Sequence, residues 1–281
     1  MFCWGIGDFL GAISSRKIGF VLTLFWMQIM SLSIFTIYFL IKLTTFKLEL
    51  IFSYLPVLTL IAFCQFIAYL SFYKGLSKSN VSLVSPIGAT YSLVIVVLST
   101  LIYKEVLNNG QILAIFLILT GIILTSVNLP VIFKFKKLTI FSGVKEGLVA
   151  MLGWGISLFL IVPVSQSLGW FLPAYIFKLI FLSFLLIYML VKKQKIDKQK
   201  LKSNWLILII IGVFDMVAFF SYSFGVMSEY ASIVAPVAGA YSMITVVLGL
   251  VFLKEKLVFN QVVGILGIIS GLVLISLLHT S

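Results

Sequence analysis

Long uncharged apolar runs alternate along the chain with short segments that carry most of its lysine, glutamate and asparagine. An apolar α-helix needs about 20 residues to cross the hydrocarbon core of a membrane. Ten runs come close to this length, and we predict membrane helices over residues 1–15, 19–41, 51–73, 81–103, 110–132, 144–163, 170–191, 205–226, 231–253 and 258–278. The first run lacks the charged start and cleavage pattern of a signal peptide, so we expect a retained membrane helix.

The composition agrees with a chain that resides in a bilayer. Hydrophobic residues make up 62% of the 281 positions and charged residues 10%, whereas soluble domains average about 45–50% and 25%. This excludes a soluble enzyme, a disulfide-rich secreted protein and, despite the net charge of +12, a nucleic-acid binder. With one histidine, His279, and two cysteines inside apolar runs, Cys3 and Cys64, we expect no metal site, no disulfide framework and no cofactor.

The positive charges are distributed unevenly between the two sides of the predicted helix bundle. Sixteen of the 20 basic residues fall in odd-numbered loops, including the lysine-rich segment 192–202. Short loops rich in lysine and arginine stay in the cytoplasm. We therefore predict a multi-pass protein of the cell membrane, with cytoplasmic odd-numbered loops and both termini outside.

The two halves of the chain are related by an internal repeat with an offset of 150 residues. The first copy contains Trp4-Gly5, Pro86, Tyr91-Ser92 and Lys104-Glu105, and the second contains Trp154-Gly155, Pro236, Tyr241-Ser242 and Lys254-Glu255. Each copy holds five predicted spans, an odd number, so the second copy must cross the membrane in the opposite direction. We predict an all-α polytopic membrane protein of ten transmembrane helices, arranged as two inverted five-helix repeats over residues 1–131 and 144–281.

The repeat also indicates that the first helix is short. Residues 147–153 precede Trp154 in the second copy, whereas only residues 1–3 precede Trp4 in the first. Fifteen helical residues rise about 22 Å, less than the roughly 30 Å of the hydrocarbon core. We therefore expect the first helix to be truncated.

The recurring elements resemble those of a known family. Each half has a Trp-Gly pair in its opening helix, a Pro early in its fourth helix, and a Lys-Glu-x-Leu segment followed by Gln and Gly. The residues are Trp4-Gly5, Ser85-Pro86, Lys104, Glu105, Leu107, Gln111 and Gly121 in the first half, and Trp154-Gly155, Ala235-Pro236, Lys254, Glu255, Leu257, Gln261 and Gly271 in the second.

On these motifs the whole chain resembles an EamA-type permease of the drug/metabolite transporter superfamily. The resemblance implies a ten-helix transporter with a central cavity between its halves. Members of the superfamily carry amino acids, nucleotide sugars, phosphorylated metabolites or drugs. The short first helix and the predicted outside termini depart from what we expect of many members.

Four polar side chains fall near the middle of predicted spans and correspond pairwise in the repeat. Gln28 matches Lys178, and Gln65 matches Asp215. A charge at this depth needs a partner or a wet cavity. Lys178 and Asp215 can neutralise each other as a structural pair or can hold the carboxylate and amine of a zwitterionic substrate, and Asp215 can alternatively carry a coupling proton. All four are candidate substrate-binding residues.

Asp8, Tyr91 and Tyr241 complete the candidate site. Asp8 is a second candidate for proton coupling, although its repeat counterpart Leu158 is apolar. The rings and hydroxyl groups of Tyr91 and Tyr241 suit contacts with a solute, so we predict that both line the cavity.

Several small, helix-breaking or charged residues have more than one interpretation. The serines that follow the two tyrosines suit either helix packing or substrate contact. The two prolines are either harmless early-turn residues or hinges. The glycines of the tenth helix indicate close packing or a homodimer contact. The Lys-Glu pairs are expected at helix ends, in water. These residues are Ser92, Ser242, Pro86, Pro236, Gly264, Gly267, Gly271, Lys104, Glu105, Lys254 and Glu255.

Together these features predict a secondary transporter that moves a small organic metabolite, such as an amino acid or a drug-like solute, by alternating access. No nucleotide-binding loop is present in the sequence, so we expect a solute or ion gradient to drive it. A membrane-embedded lipid-handling protein or enzyme is the alternative, and a channel is a third option. The expected partners are the solute and the lipid bilayer, with a homodimer as a further option and no nucleic acid.

Overall fold

The computed structural model describes residues 1–126, 143–194, 198–255 and 258–279. These residues form α-helices and two short 3₁₀ turns, and they contain no β-strand. The α-helices are α1 (Phe2–Ile18), α2 (Phe20–Ile41), α3 (Ile51–Lys78), α4 (Val81–Ala89), α5 (Tyr91–Ile102), α6 (Asn109–Ser126), α7 (Val144–Leu168), α8 (Leu172–Val191), α9 (Lys198–Ser228), α10 (Ala231–Gly239), α11 (Tyr241–Leu253) and α12 (Phe259–His279). The prediction of an all-α fold is confirmed for the described residues.

Eight helical segments in this part of the chain are long and apolar enough to cross a membrane. Two of them consist of paired helices: α4 with α5 corresponds to the fourth predicted span, and α10 with α11 to the ninth. These two pairs are called the fourth and ninth segments below. The first and fifth predicted spans correspond to α1, with 17 residues, and to α6, which is also short. The end of the fifth predicted span, residues 127–132, lies outside the described residues, as do Lys134, Lys136 and Lys137 and parts of the segment 192–202.

Several helices extend beyond their predicted spans. Helix α3 continues past residue 73 to Lys78, α7 ends at Leu168 rather than at 163, and α9 begins at Lys198. The spans were predicted from apolarity, which marks the part of a helix that faces hydrocarbon. A helix ends where its backbone hydrogen bonds end, so polar residues can continue it into water.

The interruptions of the fourth and ninth segments lie after their prolines. The break occurs at Thr90 in one repeat and at the equivalent Ala240 in the other, four residues beyond Pro86 and Pro236. The amide of Thr90 donates to the carbonyl of Ile87 at 3.2 Å. This hydrogen bond spans three residues, as in a 3₁₀ turn, rather than the four residues of an α-helix. The prolines are therefore not themselves the break points.

A glycine with positive φ ends the first helix of each repeat. Gly19 separates α1 from α2 with φ of 91°, and Gly169, its repeat equivalent, precedes α8 with φ of 85°. Glycine adopts such positive φ values readily because it has no Cβ. The chain thus ends one helix and changes direction within very few residues at both places.

Helices α6 and α12, the last helices of the two repeats, pack against each other in antiparallel directions. A Cβ on Gly121 would lie 2.5 Å from the carbonyl oxygen of Gly264, and one on Gly271 would lie 2.7 Å from that of Ala114. Residue numbers thus rise along one helix as they fall along the other. Gly264 and Gly271 therefore serve a close contact within the chain, and the homodimer stays a prediction.

Candidate functional site

Reciprocal hydrogen bonds join the fourth and ninth segments at both ends. The carboxylate of Glu105 accepts hydrogen bonds from the backbone amides of Ala231 and Ser232, both at 2.9 Å, and from the hydroxyl of Ser232. Glu255 accepts the equivalent bonds from the amides of Val81, at 3.1 Å, and Ser82, at 3.0 Å, and from the Ser82 hydroxyl.

Each glutamate thus satisfies the free amides at the start of a helix in the other repeat. Because Glu105 follows the end of α5 and contacts the start of α10, the fourth and ninth segments run antiparallel. The expectation that both Lys-Glu pairs simply stay in water is wrong for the glutamates, which are half-buried, and holds for the exposed Lys104 and Lys254. Both lysines have positive φ, 54° and 55°, at equivalent positions.

A cavity lies between the two halves and is lined by eight residues. They form four pairs at the offset of the sequence repeat, which are Trp4 with Trp154, Asp8 with Leu158, Tyr69 with Phe219, and Tyr91 with Tyr241. A cavity whose wall consists of equivalent residues from both halves must lie on the axis that relates them.

The cavity is small in this conformation. The part of the cavity that the centre of a water molecule can occupy is about 20 Å³. A cavity that holds one water needs roughly 10–15 Å³ by the same measure. A metabolite therefore does not fit without a movement of the walls.

Aromatic rings dominate the wall of the cavity, in an arrangement that follows the repeat. Trp154 lies edge-on to Tyr91 at 6.3 Å between ring centroids, and Trp4 lies edge-on to Tyr241 at 6.1 Å. Tyr91 and Tyr241 are nearly parallel to each other, with centroids 6.5 Å apart. Both hydroxyl groups are buried; that of Tyr91 makes no hydrogen bond within the described residues, and that of Tyr241 lies beside the hydroxyl of Ser85. The structure thus places both predicted tyrosines at the cavity, where their hydroxyls can meet a solute.

Asp8 provides the charged group of the cavity wall. It is 8% exposed, and no hydrogen bond or ion pair joins its carboxylate to another described residue. Its equivalent, Leu158, occupies the opposite wall. The first repeat therefore supplies the ionisable group of the cavity wall, although Asp8 has no acidic counterpart in the second repeat.

Lys178 and Asp215 form a buried ion pair beside the cavity. Asp215 also accepts hydrogen bonds from the side-chain Nε2 of Gln28, at 3.3 Å, and from the phenol of Tyr69. The lysine nitrogen lies 4.4 Å from the centre of the Phe219 ring and 4.9 Å from that of Tyr69. In this conformation the two side chains neutralise each other, with cation–π contacts from the lysine to two rings that line the cavity, and their binding of substrate stays a prediction.

Gln65 lies apart from this network. Its amide nitrogen donates to the hydroxyl of Ser157 at 2.9 Å, and the side chain is fully buried. The residue equivalent to Ser157 in the first repeat is Gly7, which offers no hydroxyl. Asp215, the equivalent of Gln65, therefore has a different partner, Lys178. Equivalent polar positions in the two halves thus make different contacts.

Ser92 and Ser242 have packing roles in this conformation. Their hydroxyls donate to the carbonyls of Ala89, at 2.9 Å, and Gly239, at 3.2 Å. A Cβ on Gly239 would lie 3.0 Å from the Ser92 oxygen, so the fourth and ninth segments touch at this point.

Five residues that line the cavity were not among the candidates from the sequence, namely Trp4, Trp154, Leu158, Tyr69 and Phe219. The tryptophans carried a signal, because the Trp-Gly pair recurs in both opening helices. Leu158, Tyr69 and Phe219 carried none, because an apolar or aromatic residue in a membrane span is as common on the lipid face as in the interior.

The comparisons with known proteins agree with this architecture. A family model described as the EamA-like transporter family matches residues 1–127 and 141–277. A search of curated proteins gives no significant match. Among solved structures, one crystal structure of a protein superimposes with a TM-score of 0.71 at 14% sequence identity, covering 99% of this chain and 96% of the other. At this identity the likeness establishes the fold alone.

Proposed function

The chain belongs to the EamA-like transporter family, and we propose that it is a secondary transporter that moves a small organic solute across the cell membrane by alternating access. The observation that carries this proposal is the cavity on the axis between the halves, lined by four pairs of equivalent residues. Two antiparallel halves that meet at such a cavity can exchange small conformational differences, which opens it to one side and then to the other.

The proposal includes ten membrane crossings in two inverted units of five. In this proposal, the two crossings beyond the eight long apolar segments are made by α1 and by the shorter apolar helix α6. The antiparallel contacts between α6 and α12, and between the fourth and ninth segments, support opposite insertion of the halves. The lysine distribution favours cytoplasmic odd-numbered loops.

This topology is tested by cysteine labelling in intact cells, in a chain whose native cysteines, Cys3 and Cys64, are replaced. A membrane-impermeant maleimide is expected to label Lys104→Cys, in an even-numbered loop, and to leave Lys254→Cys unlabelled until the cells are opened. Both positions are exposed and have the same backbone conformation. Labelling of both from one side of the membrane contradicts the inverted arrangement.

The reciprocal glutamate contacts fit a role as alternating closures. Glu105 and Glu255 hold the two opposite ends of the fourth and ninth segments together in the same conformation. Because the cavity is too small for a metabolite, one end must separate before solute enters. Alternating access requires the two contacts to open in turn rather than together.

Asp8 is the acid we propose for proton coupling, in preference to Asp215. Asp215 is already neutralised by Lys178, whereas the carboxylate of Asp8 faces the cavity without a partner among the described residues. The titratable groups around Asp8 are Asp215 and the phenols of Tyr69, Tyr73, Tyr91 and Tyr241. An imposed pH gradient is expected to drive solute exchange in the native chain and not in Asp8→Asn, and equal stimulation of both contradicts this role.

The test of transport itself is reconstitution of the full chain into liposomes, followed by a screen of metabolites for saturable counterflow. Trp154→Leu, at the cavity wall, is expected to lose most of the exchange rate. The matched control is Trp205→Leu, which removes a tryptophan that is 52% exposed and is not among the residues that line the cavity. Steady conductance without saturation would indicate a channel, and the absence of any protein-dependent flux across the screen would refute the transporter proposal.

A further inference from the structure

The charges around the cavity do not balance. Within the described residues, the buried charged side chains at or beside it are Asp8, Lys178 and Asp215. Lys178 and Asp215 neutralise each other, so Asp8 adds one negative charge whenever it is ionised. A buried carboxylate without a partner is costly, so Asp8 takes up either a proton or a positive charge that enters the cavity.

The walls of the cavity suit a positively charged ligand. Six of its eight residues are aromatic, and the face of an aromatic ring attracts a cation within about 6 Å of its centre. Two of these rings, Phe219 and Tyr69, already bind a cation, because the Lys178 nitrogen lies 4.4 and 4.9 Å from their centres. The other four rings, those of Trp4, Trp154, Tyr91 and Tyr241, remain for a ligand.

The same walls do not suit an anion or a zwitterion. No lysine, arginine or histidine is among the residues that line the cavity, and the amine of Lys178 is occupied by Asp215. The carboxylate of an amino acid would therefore meet aromatic rings and Asp8, without a positive partner. A single positive charge on an apolar body is the chemistry that both the carboxylate and the rings favour.

We propose that the cavity binds an organic cation, an amine or quaternary ammonium on an apolar or aromatic body, with its positive charge beside Asp8. This inference rests on the proposed transport function for the entry of the ligand. The aromatic wall holds the apolar body and the cation face-on, and the carboxylate supplies charge selectivity. The Tyr91 hydroxyl, which makes no hydrogen bond in the described residues, can bind a polar group of the body.

The first experiment measures binding to the unmodified full chain in lipid nanodiscs, by calorimetry. Four probes share a benzene ring and differ in charge: phenyltrimethylammonium, phenylalanine, 3-phenylpropionate and 3-phenylpropan-1-ol. We expect phenyltrimethylammonium to bind at least about tenfold more tightly than the other three, the effect of a buried charge-assisted contact. Equal or tighter binding of the anion or the zwitterion overturns the inference.

The second experiment locates the charge with variants. Asp8→Asn is expected to weaken binding of phenyltrimethylammonium at least about tenfold, whereas the control Glu49→Gln, which removes an exposed acid outside the cavity, leaves it unchanged. The exchange Asp8→Leu with Leu158→Asp moves the carboxylate to the equivalent wall and is expected to restore binding. Unchanged binding in Asp8→Asn refutes the role of Asp8. If a variant does not fold, the four probes on the native chain still decide whether the cavity prefers a cation.

Aromatic contributions are tested separately at Tyr241. Tyr241→Phe keeps the ring and is expected to keep cation binding, while Tyr241→Leu weakens it severalfold because cation–π attraction is lost. Equal binding in the two variants contradicts a cation–π role.

Counterflow with the same probes in phosphatidylcholine–phosphatidylglycerol liposomes separates this inference from the transport proposal. Tight binding of the cation without exchange refutes transport and leaves the ligand class standing. Saturable exchange of the zwitterion or anion, without cation binding, refutes the ligand class and leaves transport standing.

Discussion

The buried pair of Lys178 and Asp215 allows a quantitative test of how the two halves are held together. Lys178→Met leaves the Asp215 carboxylate with the hydrogen bonds of Gln28 and Tyr69 but without a counter-charge. Asp215→Asn leaves a fully buried ammonium beside two aromatic rings. The double variant Lys178→Met with Asp215→Asn removes both charges and keeps an amide oxygen that can accept from Gln28 and Tyr69.

The magnitudes follow from the burial of the pair. Breaking a buried ion pair by removing one partner costs about 3–5 kcal/mol, whereas removing both charges is often close to neutral. In a chain of this size each kcal/mol shifts the unfolding midpoint by roughly 2–4 °C. We therefore expect each single variant to unfold at least about 6 °C lower than the native chain, and the double variant to unfold above both.

The assay is the loss of the monodisperse gel-filtration peak after heating in detergent, at a fixed heating time. The matched control is Lys74→Met, which breaks the ion pair between Lys74 and Glu146, 3.2 Å apart and partly exposed. Such pairs contribute about 0–1 kcal/mol, so the midpoint should change little. If the double variant is as unstable as the singles, or if the singles resemble Lys74→Met, the structural assignment of the pair is wrong.

Further predictions concern the helix contacts. Glu105→Gln removes the negative charge that accepts hydrogen bonds from the first amides of α10. It is expected to slow solute counterflow severalfold while the chain stays folded. A rate equal to that of Glu49→Gln, the control at an exposed site, would contradict a closure role. Gly121→Leu, at the point where α6 and α12 touch, is expected to destabilise by about 1–3 kcal/mol or more through overpacking, seen as a lower unfolding midpoint. The control is Gly7→Ala, because a Cβ built at this helical glycine meets no atom closer than 3.9 Å, so its midpoint should not fall.

Much of the architecture follows from local patterns in the chain. Apolar runs near 20 residues predict membrane helices because every backbone polar group must be satisfied within the segment. The offset of 150 residues predicts that Trp4 and Trp154, or Tyr91 and Tyr241, occupy equivalent places. It also indicates opposite directions for the two halves, since each contains an odd number of predicted spans. These inferences need only the order of residues and the length of each run.

The tertiary structure alone decided which equivalent residues meet. Gln65 and Asp215 are equivalent, yet one binds Ser157 and the other Lys178. Glu255 binds the start of α4, a contact between residues far apart along the chain that no local pattern predicts.

The physical reason is that a membrane helix is apolar on every side, so its periodicity does not distinguish the face against lipid from the face against a neighbouring helix. The direction of each side chain is set by close packing of small residues, as where Gly121 meets Gly264. That packing turns the carboxylate of Asp8 into the cavity and buries Gln65 away from it. Chain order therefore determined the symmetry of this protein, and helix packing determined which side chains line its cavity.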